Sequence, residues 1–284
     1  MKNHSQLKLG LALGGGGARG LAHIGVLKAL EEAGISVDFL SGTSMGGVIA
    51  GAYATGLSPD EIQAMALEYS DSRTLWRLAD PTLPRQGLFR GERLHAYFEK
   101  QLGGSTFESL RIPLTLVAVD LNRGCEVHMN AGSLADAVRA TVSVPGLLAP
   151  IQQDGQCLVD GALLNNVPTD VVRHMGADVV LAVDVYSESP EEPSYWQLLG
   201  KRRFLADTIG DLLRILGDSL NLVIQHQNAY KMQESPPDFL IRPVIPPDVG
   251  LISGYDRAPL LIAKGKKAVT PVLPNLNAAL KIIH

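Results

Sequence analysis

The sequence is poor in cysteine, lacks long apolar runs and carries no surplus of positive charge. Its two cysteines, Cys125 and Cys157, are too few for a disulfide framework and lie in no metal-ligand spacing such as CxxC. No run of eighteen or more apolar residues occurs, so no transmembrane helix is expected. The formal net charge of −4 argues against a general nucleic-acid binder. We therefore expect a cytoplasmic protein, peripheral to the membrane at most, without a metal ion or cofactor.

What the chain does contain is apolar material for a sizeable core, arranged as strands that alternate with helices. The runs Leu7–Leu13, Ile35–Leu40 and Val179–Val185 have the length and composition of buried strands. Gly20–Ala33 has apolar residues at helical spacing, closed by Gly34 as a C-cap. This alternation predicts an α/β fold with a largely parallel sheet covered by helices on both faces.

The composition changes after Val185, where a stretch rich in Ser, Glu and Pro begins. We predict a core over residues 1–185 and a mainly helical extension over 186–284, packed on the core or merged with it into one domain. Within the extension, Tyr195–Leu220 combines leucines at helical spacing with the basic run Lys201-Arg202-Arg203. The pattern is typical of a membrane-surface helix, but Asp207, Asp211 and Asp218 on the same stretch favour an ordinary helix packed on the domain.

The first motif that carries chemistry is Gly42-Thr43-Ser44-Met45-Gly46, a GxSxG pattern. It follows a predicted strand and precedes a small-residue helix, which is the context of a nucleophilic serine on a sharp strand-to-helix turn. Gly42 and Gly46 allow the chain to turn tightly, and the following helix directs N–H groups toward the hydroxyl. The pattern alone is also compatible with a glycine-rich turn in which Ser44 is only a helix N-cap.

The second motif is Gly15-Gly16-Gly17-Ala18-Arg19-Gly20, which also follows a strand and opens a helix. Consecutive glycines can direct several backbone N–H groups inward and so stabilise an oxyanion. Arg19 can add charge or fix the loop through hydrogen bonds. Gly15, Gly17 and Gly20 also match the dinucleotide fingerprint GxGxxG, with Asp38 roughly where the ribose-binding acid would be. A dinucleotide-binding protein is therefore the rival hypothesis.

A nucleophilic serine needs a base, and the sequence offers two arrangements. Asp160 lies at the end of a short predicted strand and is followed by Gly161 and Ala162, where the backbone can turn toward Ser44. The order Ser44, Asp160, His174 would instead meet the chain order of a Ser-Asp-His triad. His174, however, falls late in a predicted helix, whereas catalytic histidines of such enzymes usually lie in loops.

The three motifs together resemble the patatin-like phospholipase family, and most of all its bacterial branch related to neuropathy target esterase. The resemblance rests on the GGGxRG at Gly15–Gly20, the GxSxG at Gly42–Gly46 and the DGA at Asp160–Ala162, in that order. Residues 139–146, Arg-Ala-Thr-Val-Ser-Val-Pro-Gly, are similar to the stretch that precedes the family's catalytic aspartate. The match spans about residues 7 to 185.

The resemblance implies a three-layer α/β/α fold and a catalytic dyad of Ser44 and Asp160 without histidine. It implies an oxyanion hole made by Gly15, Gly16, Gly17, Ala18 and Arg19. It also implies hydrolysis of phospholipid or lysophospholipid acyl esters, so that the expected partner is a lipid or other acyl-ester substrate. A catalytically silent regulatory protein on the same fold is the remaining alternative, and its mark would be the loss of one dyad member.

Overall fold

The computed structural model describes residues 7–68, 70, 77–82, 86–186 and 206–281. The described strands are β1 (Leu9–Leu13), β2 (Phe39–Thr43), β3 (Gly87–Phe89), β4 (Leu114–Asp120), β5 (Cys125–Met129), β6 (Gly146–Leu148), β7 (Ile151–Gln153), β8 (Gln156–Asp160), β9 (Val179–Val183) and β10 (Phe239–Ile241). The described α-helices are α1 (Ala22–Glu32), α2 (Met45–Ala54), α3 (Pro59–Glu68), α4 (Glu92–Gln101), α5 (Leu134–Thr141), α6 (Thr169–His174), α7 (Ala206–Glu234), α8 (Ala258–Val269) and α9 (Leu273–Leu280). Short 3₁₀ helices span Gly17–Leu21, Phe107–Ser109, Gly161–Leu163 and Tyr255–Arg257.

The main sheet has the strand order β10-β9-β1-β2-β4-β8-β7, with β5 also paired to β4. The five strands from β10 to β4 are parallel, while β5, β8 and β7 join them through antiparallel pairs. The strands β3 and β6 form a separate small parallel sheet. The predicted α/β fold with a mostly parallel sheet is confirmed. The antiparallel β8 was not foreseen, because a short strand carries no local sign of its direction.

Helices cover both faces of the sheet, as the side-chain alternation along β1 makes plain. Leu11 and Leu13 point into the larger apolar cluster, which includes residues of α1, α2, α5 and α8. Ala12 points to the opposite face, into a smaller cluster with Val172 of α6 and with Val180 from β9. Because both faces of the central strands are buried, these strands read as continuous apolar runs in the sequence.

The second strand lies later in the chain than its apolar residues indicate. It was predicted over Ile35–Leu40, but β2 spans Phe39–Thr43 and so includes the small polar residues just before Ser44. Ser41 and Thr43 are fully buried there, since their hydroxyls donate to the carbonyls of Pro168 and Asn165 at 2.8 and 2.9 Å. These bonds satisfy hydroxyl groups that would otherwise be costly to bury. As a result the chain leaves the sheet directly at Ser44.

Residues beyond 206 contribute to the same sheet and to one of its helical layers. Strand β10 pairs in parallel with β9, and α8 packs along α1. The predicted segment Tyr195–Leu220 lies partly outside the described residues, and α7 begins at Ala206. Among the helices that the structure describes, none is both long and apolar enough to cross a membrane.

The packing of α8 on α1 depends on two glycines at the helix crossing. A Cβ atom on Gly25 would overlap the carbonyl oxygen of Ile262, and one on Gly265 would overlap that of Ala22. Both neighbours are backbone atoms of helices, which cannot move aside as a flexible side chain can. The two helices therefore approach each other more closely than any residue with a side chain would allow.

We expect Gly265→Ala to lower the free energy of unfolding by about 1–3 kcal/mol, the usual cost of overpacking. In an exposed helix the same change would raise stability by about 1 kcal/mol through helix propensity. The sign of the change in the free energy of unfolding, measured by urea unfolding, therefore tests the close contact between α8 and α1. Gly51→Ala in α2 is the matched control, because its nearest heavy atom would lie 3.3 Å away, in the Val138 side chain. Equal effects of the two variants would contradict the crossing.

Candidate active site

Ser44 occupies a strained turn between β2 and α2. Its backbone has φ 53° and ψ −126°, a conformation that a non-glycine residue rarely adopts. The side chain is 5% exposed, and the backbone N–H donates to the Thr141 hydroxyl at 2.9 Å. Strain of this kind, of order 1–3 kcal/mol, persists only where the surrounding contacts enforce it. The turn places Ser44 at the junction of β2 and α2, where it is the N-cap residue of the helix.

Asp160 lies at the end of β8, and its carboxylate interacts with Ser44. Burial raises the pKa of Asp160 from 3.8 to about 6, because a charged carboxylate loses its hydration there. Hydrogen bonding from the Ser44 side chain and from the N–H of Ala162 lowers the pKa and so partly opposes this rise. The Ala162 N–H lies 2.9 Å from Asp160 Oδ1. The two residues that the sequence singled out are thus brought together from strands that are far apart in the chain.

Residues of the segment before Asp160 hold this pair in place, although the sequence assigned them no role. The Thr141 hydroxyl donates to the Val117 carbonyl at 2.6 Å while it accepts from Ser44 N–H, so it ties the turn to β4. The Ser143 carbonyl accepts from the N–H of Asp160 at 3.0 Å. Local pattern could not reveal these functions, because each depends on a partner from a distant strand.

Arg139 is a buried cation at the centre of the wall beside the site. Its side chain is 2% exposed and donates to the Ser143 hydroxyl at 2.6 Å. It also donates to the carbonyls of Arg90, Gly91 and Ala149 at 2.6, 3.0 and 2.9 Å. Burial lowers the pKa of Arg139, and the charge of Asp80 raises it. Arg139 thereby joins the segments around β3 and β6 to the segment that precedes the base.

The glycine loop lies directly beside Ser44. A Cβ atom on Gly15 would be 3.0 Å from Ser44 Cβ and 2.8 Å from Asn166 Oδ1. The N–H groups of Gly15, Ala18 and Arg19 already donate to the carbonyls of Asn166, Gly250 and Gly16. Within the described part of the chain, no acceptor engages the N–H groups of Gly16 and Gly17. Of the five predicted oxyanion residues, these two keep their donors available.

The remaining predicted residues lie at close approaches around this centre. A side chain on Gly46 would overlap the Leu13 carbonyl, and one on Gly161 would overlap that of Val117. Gly17 has φ +58° and lies against the Leu251 backbone, while Gly20 packs on Met45. Gly42 packs on the backbone of Gly46 and Gly47. The Arg19 guanidinium lies 5.2 Å from the centre of the Tyr186 ring. The supporting glycines thus permit contacts between backbone segments.

Asn166 is a buried residue of the site that sequence reasoning missed. It is fully buried beside Gly15, and neither polar atom of its carboxamide has a partner among the described residues. The backbone carbonyl oxygen of Asn166, by contrast, accepts from Gly15 N–H at 3.2 Å. The neighbouring Asn165 is held by Glu126 and Asp170 at 2.9 and 2.8 Å. The pair Asn165-Asn166 after the DGA motif was the signal available in the sequence.

Hydrogen bonds to other groups hold His174 and Asp38, the residues of the alternative hypotheses, and also the buried His23. His174 is exposed, and its Nδ1 lies 2.7 Å from the Asp170 carbonyl of its own helix. His23 is fully buried with Nε2 2.7 Å from the Gly14 carbonyl, and burial lowers its pKa to about 4. Asp38 accepts from Leu9 N–H at 2.7 Å, at the opposite end of β1 from the glycine loop. A ribose-binding role for Asp38 does not fit that position.

A cavity of about 550 Å³ opens beside Ser44 and Gly17. This volume falls within the usual range of ligand pockets, roughly 300–1,000 Å³. Its walls are almost entirely apolar and come from α2, α3, α4, α5, β6 and the loop around Leu251. Such a space favours a long apolar group placed next to the serine hydroxyl.

Fold and site together define an α/β/α protein with a buried serine–aspartate pair beside a glycine loop. Residues 11–173 match the family model described as Patatin-like phospholipase. That region is more than half of the chain. The protein therefore belongs to the patatin-like phospholipase family, as the three ordered motifs predicted.

Curated relatives agree with this assignment. An uncharacterised NTE family protein of Mycobacterium tuberculosis is 38% identical over 185 residues, which are 65% of this chain and 51% of that protein. Human patatin-like phospholipase domain-containing protein 6 is 39% identical over 206 residues, covering 68% of this chain and 15% of its own length. The lysophospholipase nte1 of Aspergillus fumigatus is 36% identical over 190 residues, which cover 66% of this chain and 12% of that protein. The chain spans about half the length of the mycobacterial relative.

Among solved structures, VipD from Legionella pneumophila is similar in fold. It aligns with 95% of this chain and 67% of its own chain, with a TM-score of 0.62. The sequence identity is 14%, so the likeness concerns the arrangement of the elements alone.

The raised pKa of Asp160 leads to a prediction about stability. Between pH 3.8 and about 6 the carboxyl is ionised in the unfolded chain but stays protonated in the folded protein. Its contribution to stability is therefore present below this window and is lost as pH rises through it. We expect the free energy of unfolding of the wild type to fall by about 2 kcal/mol relative to Asp160→Asn between pH 4 and pH 7.

Urea unfolding of both proteins across this pH range provides the measurement. The comparison cancels the opposite contribution of His23, whose lowered pKa makes stability rise with pH in much of the same window. A difference between the two proteins that stays constant with pH would show that Asp160 is not desolvated.

Proposed function

We propose that this protein is a serine acyl-ester hydrolase that acts on lipid esters, with Ser44 as nucleophile and Asp160 as general base. The observation that carries the proposal is the Ser44–Asp160 pair at the edge of an apolar cavity of about 550 Å³. Membership of the patatin-like phospholipase family supports the same chemistry. The presence of both dyad members speaks against a catalytically silent role.

In the first half of the reaction, Ser44 Oγ attacks the carbonyl carbon of the ester while Asp160 accepts the hydroxyl proton. The carbonyl π electrons move to oxygen, and the N–H groups of Gly16 and Gly17 donate to that oxyanion. The N–H of Met45, the first residue of α2, is a further donor at a helix end that has no intrahelical acceptor. Collapse of the intermediate breaks the bond to the leaving alcohol, which takes the proton from Asp160.

In the second half, water attacks the acyl-Ser44 ester and Asp160 again accepts a proton. Collapse of this intermediate breaks the bond between Ser44 Oγ and the acyl carbon, and the proton returns to Ser44 as the fatty acid leaves. A base with a pKa of about 6 suits both steps near neutral pH, because it is ionised yet more basic than an ordinary carboxylate.

The apolar cavity supports an acyl chain as the group bound beside Ser44. Lysophospholipids and phospholipids are the substrates that we propose, since the relatives of this chain include a lysophospholipase and a patatin-like phospholipase domain-containing protein. The alcohol leaves toward the open side of the cavity, while the acyl chain stays against the apolar walls. Burial of a long chain provides binding free energy of roughly 0.8 kcal/mol per methylene group.

Ser44→Ala should abolish hydrolysis of p-nitrophenyl butyrate and of lysophosphatidylcholine, as well as labelling by a fluorophosphonate probe. The variant lacks the only oxygen that we propose to be acylated, and it should fold because the hydroxyl is not part of the core. Circular dichroism and thermal unfolding control for folding. Hydrolysis at the wild-type rate by a folded variant would rule out this mechanism.

Asp160→Asn should lower kcat by roughly 10² to 10⁴-fold, the range typical of a general base. His174→Ala is the matched control and should stay within about twofold of the wild type, because His174 is exposed and bonded within its own helix. In a Ser-Asp-His triad the two variants would instead lose about equally, because triad members act as a unit. In the wild type, kcat/KM should fall below pH 6 as Asp160 becomes protonated. Equal losses in the two variants, or a rate that does not change between pH 5 and 8, would contradict the dyad.

A further inference from the structure

The cavity beside Ser44 is elongated, since two helices each line it with a stripe of side chains. Helix α2 contributes Met45, Val48, Ile49 and Ala52 on the face opposite to the glycines that pack on the sheet. Helix α4 and its C-cap residue contribute Leu94, Tyr97, Phe98, Gln101 and Leu102. Both sets follow the spacing of one helical face over two turns, so the cavity runs along the two helices.

The contacts of α5 fix the direction of α2. Thr141, at the C-terminal end of α5, binds the N–H of Ser44 at the start of α2. A Cβ on Gly51, near the end of α2, would lie 3.6 Å from the Leu134 side chain at the start of α5. The helices α2 and α5 are therefore antiparallel, and Leu134 marks the end of α2 that is remote from Ser44.

Three separate hydrogen bonds show that α4 is also antiparallel to α5. Arg139 donates to the Gly91 carbonyl just before α4, and His95 Nε2 lies 2.6 Å from Asp136 Oδ1. Leu134 N–H donates to the carbonyl of Ser105 at 3.0 Å, beyond the end of α4. Consequently α2 and α4 run in the same direction, and Ala52 and Leu102 lie at the same end of the cavity, remote from Ser44.

We propose that Ala52 sets the length of the acyl chain that the cavity accepts, an inference that rests on the proposed ester hydrolase function. Ala52 is 2% exposed and has the smallest side chain of the α2 stripe, so its size decides how far the cavity extends. Ile62, near the start of α3, and Leu102 are also buried and line the cavity. A larger residue at position 52 would fill the remote end without touching Ser44.

Helix geometry gives the scale of this limit. Ala52 is eight residues beyond Ser44, so the two lie about 12 Å apart along the axis of α2. An extended chain advances about 1.2 Å per single bond, because three bonds span about 3.6 Å. An acyl chain bonded to Ser44 therefore reaches Val48 after about five carbons and Ala52 after about ten.

The test compares kcat/KM for p-nitrophenyl butyrate, octanoate and dodecanoate. In Ala52→Leu, the dodecanoate-to-butyrate ratio should fall at least about tenfold, since one displaced methylene in an apolar pocket is worth about 10- to 200-fold. The octanoate-to-butyrate ratio should stay at its wild-type value. Val48→Phe should lower both ratios. Ala278→Leu, the same substitution at an exposed position of α9, should change neither.

Ala52→Val, which adds less volume, should give a smaller fall in the dodecanoate-to-butyrate ratio. This variant keeps the test decisive if Ala52→Leu fails to fold. Folded Ala52 variants with the wild-type ratio, or a fall in the octanoate ratio equal to that for dodecanoate, would overturn the proposal. A wild type that hydrolyses none of the three esters would instead contradict the ester hydrolase function. In that case, binding of dodecanoate to the three proteins decides the proposed role of Ala52. Weaker binding to Ala52→Leu than to the wild type and to Ala278→Leu would still support it. Equal binding to all three proteins would refute it.

Discussion

The close packing of α2 against the end of β1 is the constraint on which the site depends. Gly46 lies so near the Leu13 carbonyl that no side chain fits between them. The chain must therefore reverse within one residue as it leaves β2, and Ser44 takes up a positive φ of 53°. The same contact brings the glycine loop after β1 to the side of Ser44. Ser44 and the glycine loop, the proposed nucleophile and oxyanion donors, are thus positioned by one backbone approach.

Hydrogen bonds from one other segment, residues 139–143, keep this strained turn and Asp160 in place. Thr141 binds the Ser44 N–H and the β4 backbone, while Ser143 holds the N–H of Asp160. Arg139 connects Ser143 to the segments around β3 and β6, which form part of the cavity wall. Asp160, the proposed base, and the apolar cavity therefore share one support. Under the proposed mechanism, a change in this support affects proton transfer and substrate binding together.

Burial has two opposite consequences in this centre, and both bear on the proposed chemistry. It raises the pKa of Asp160 to about 6, which makes the carboxylate a better base but destabilises the fold at neutral pH. It lowers the pKa of His23 to about 4, so that this histidine is neutral and binds the Gly14 carbonyl through Nε2. The cost of an ionised Asp160 is offset by the large apolar clusters on either face of the sheet.

The sequence by itself determined the α/β class, the three motifs and the singling out of Ser44 and Asp160. Glycine clusters after apolar runs are local signals of strand ends, and a parallel sheet gathers such ends along one edge. Only the tertiary structure decided that β8 is antiparallel, that β2 begins at Phe39 and that no acceptor among the described residues engages the N–H groups of Gly16 and Gly17. The contacts of Thr141 and Arg139 and the position of Ala52 in the cavity likewise emerged only there. Each depends on partners remote in the chain, and local periodicity carries no information about such contacts.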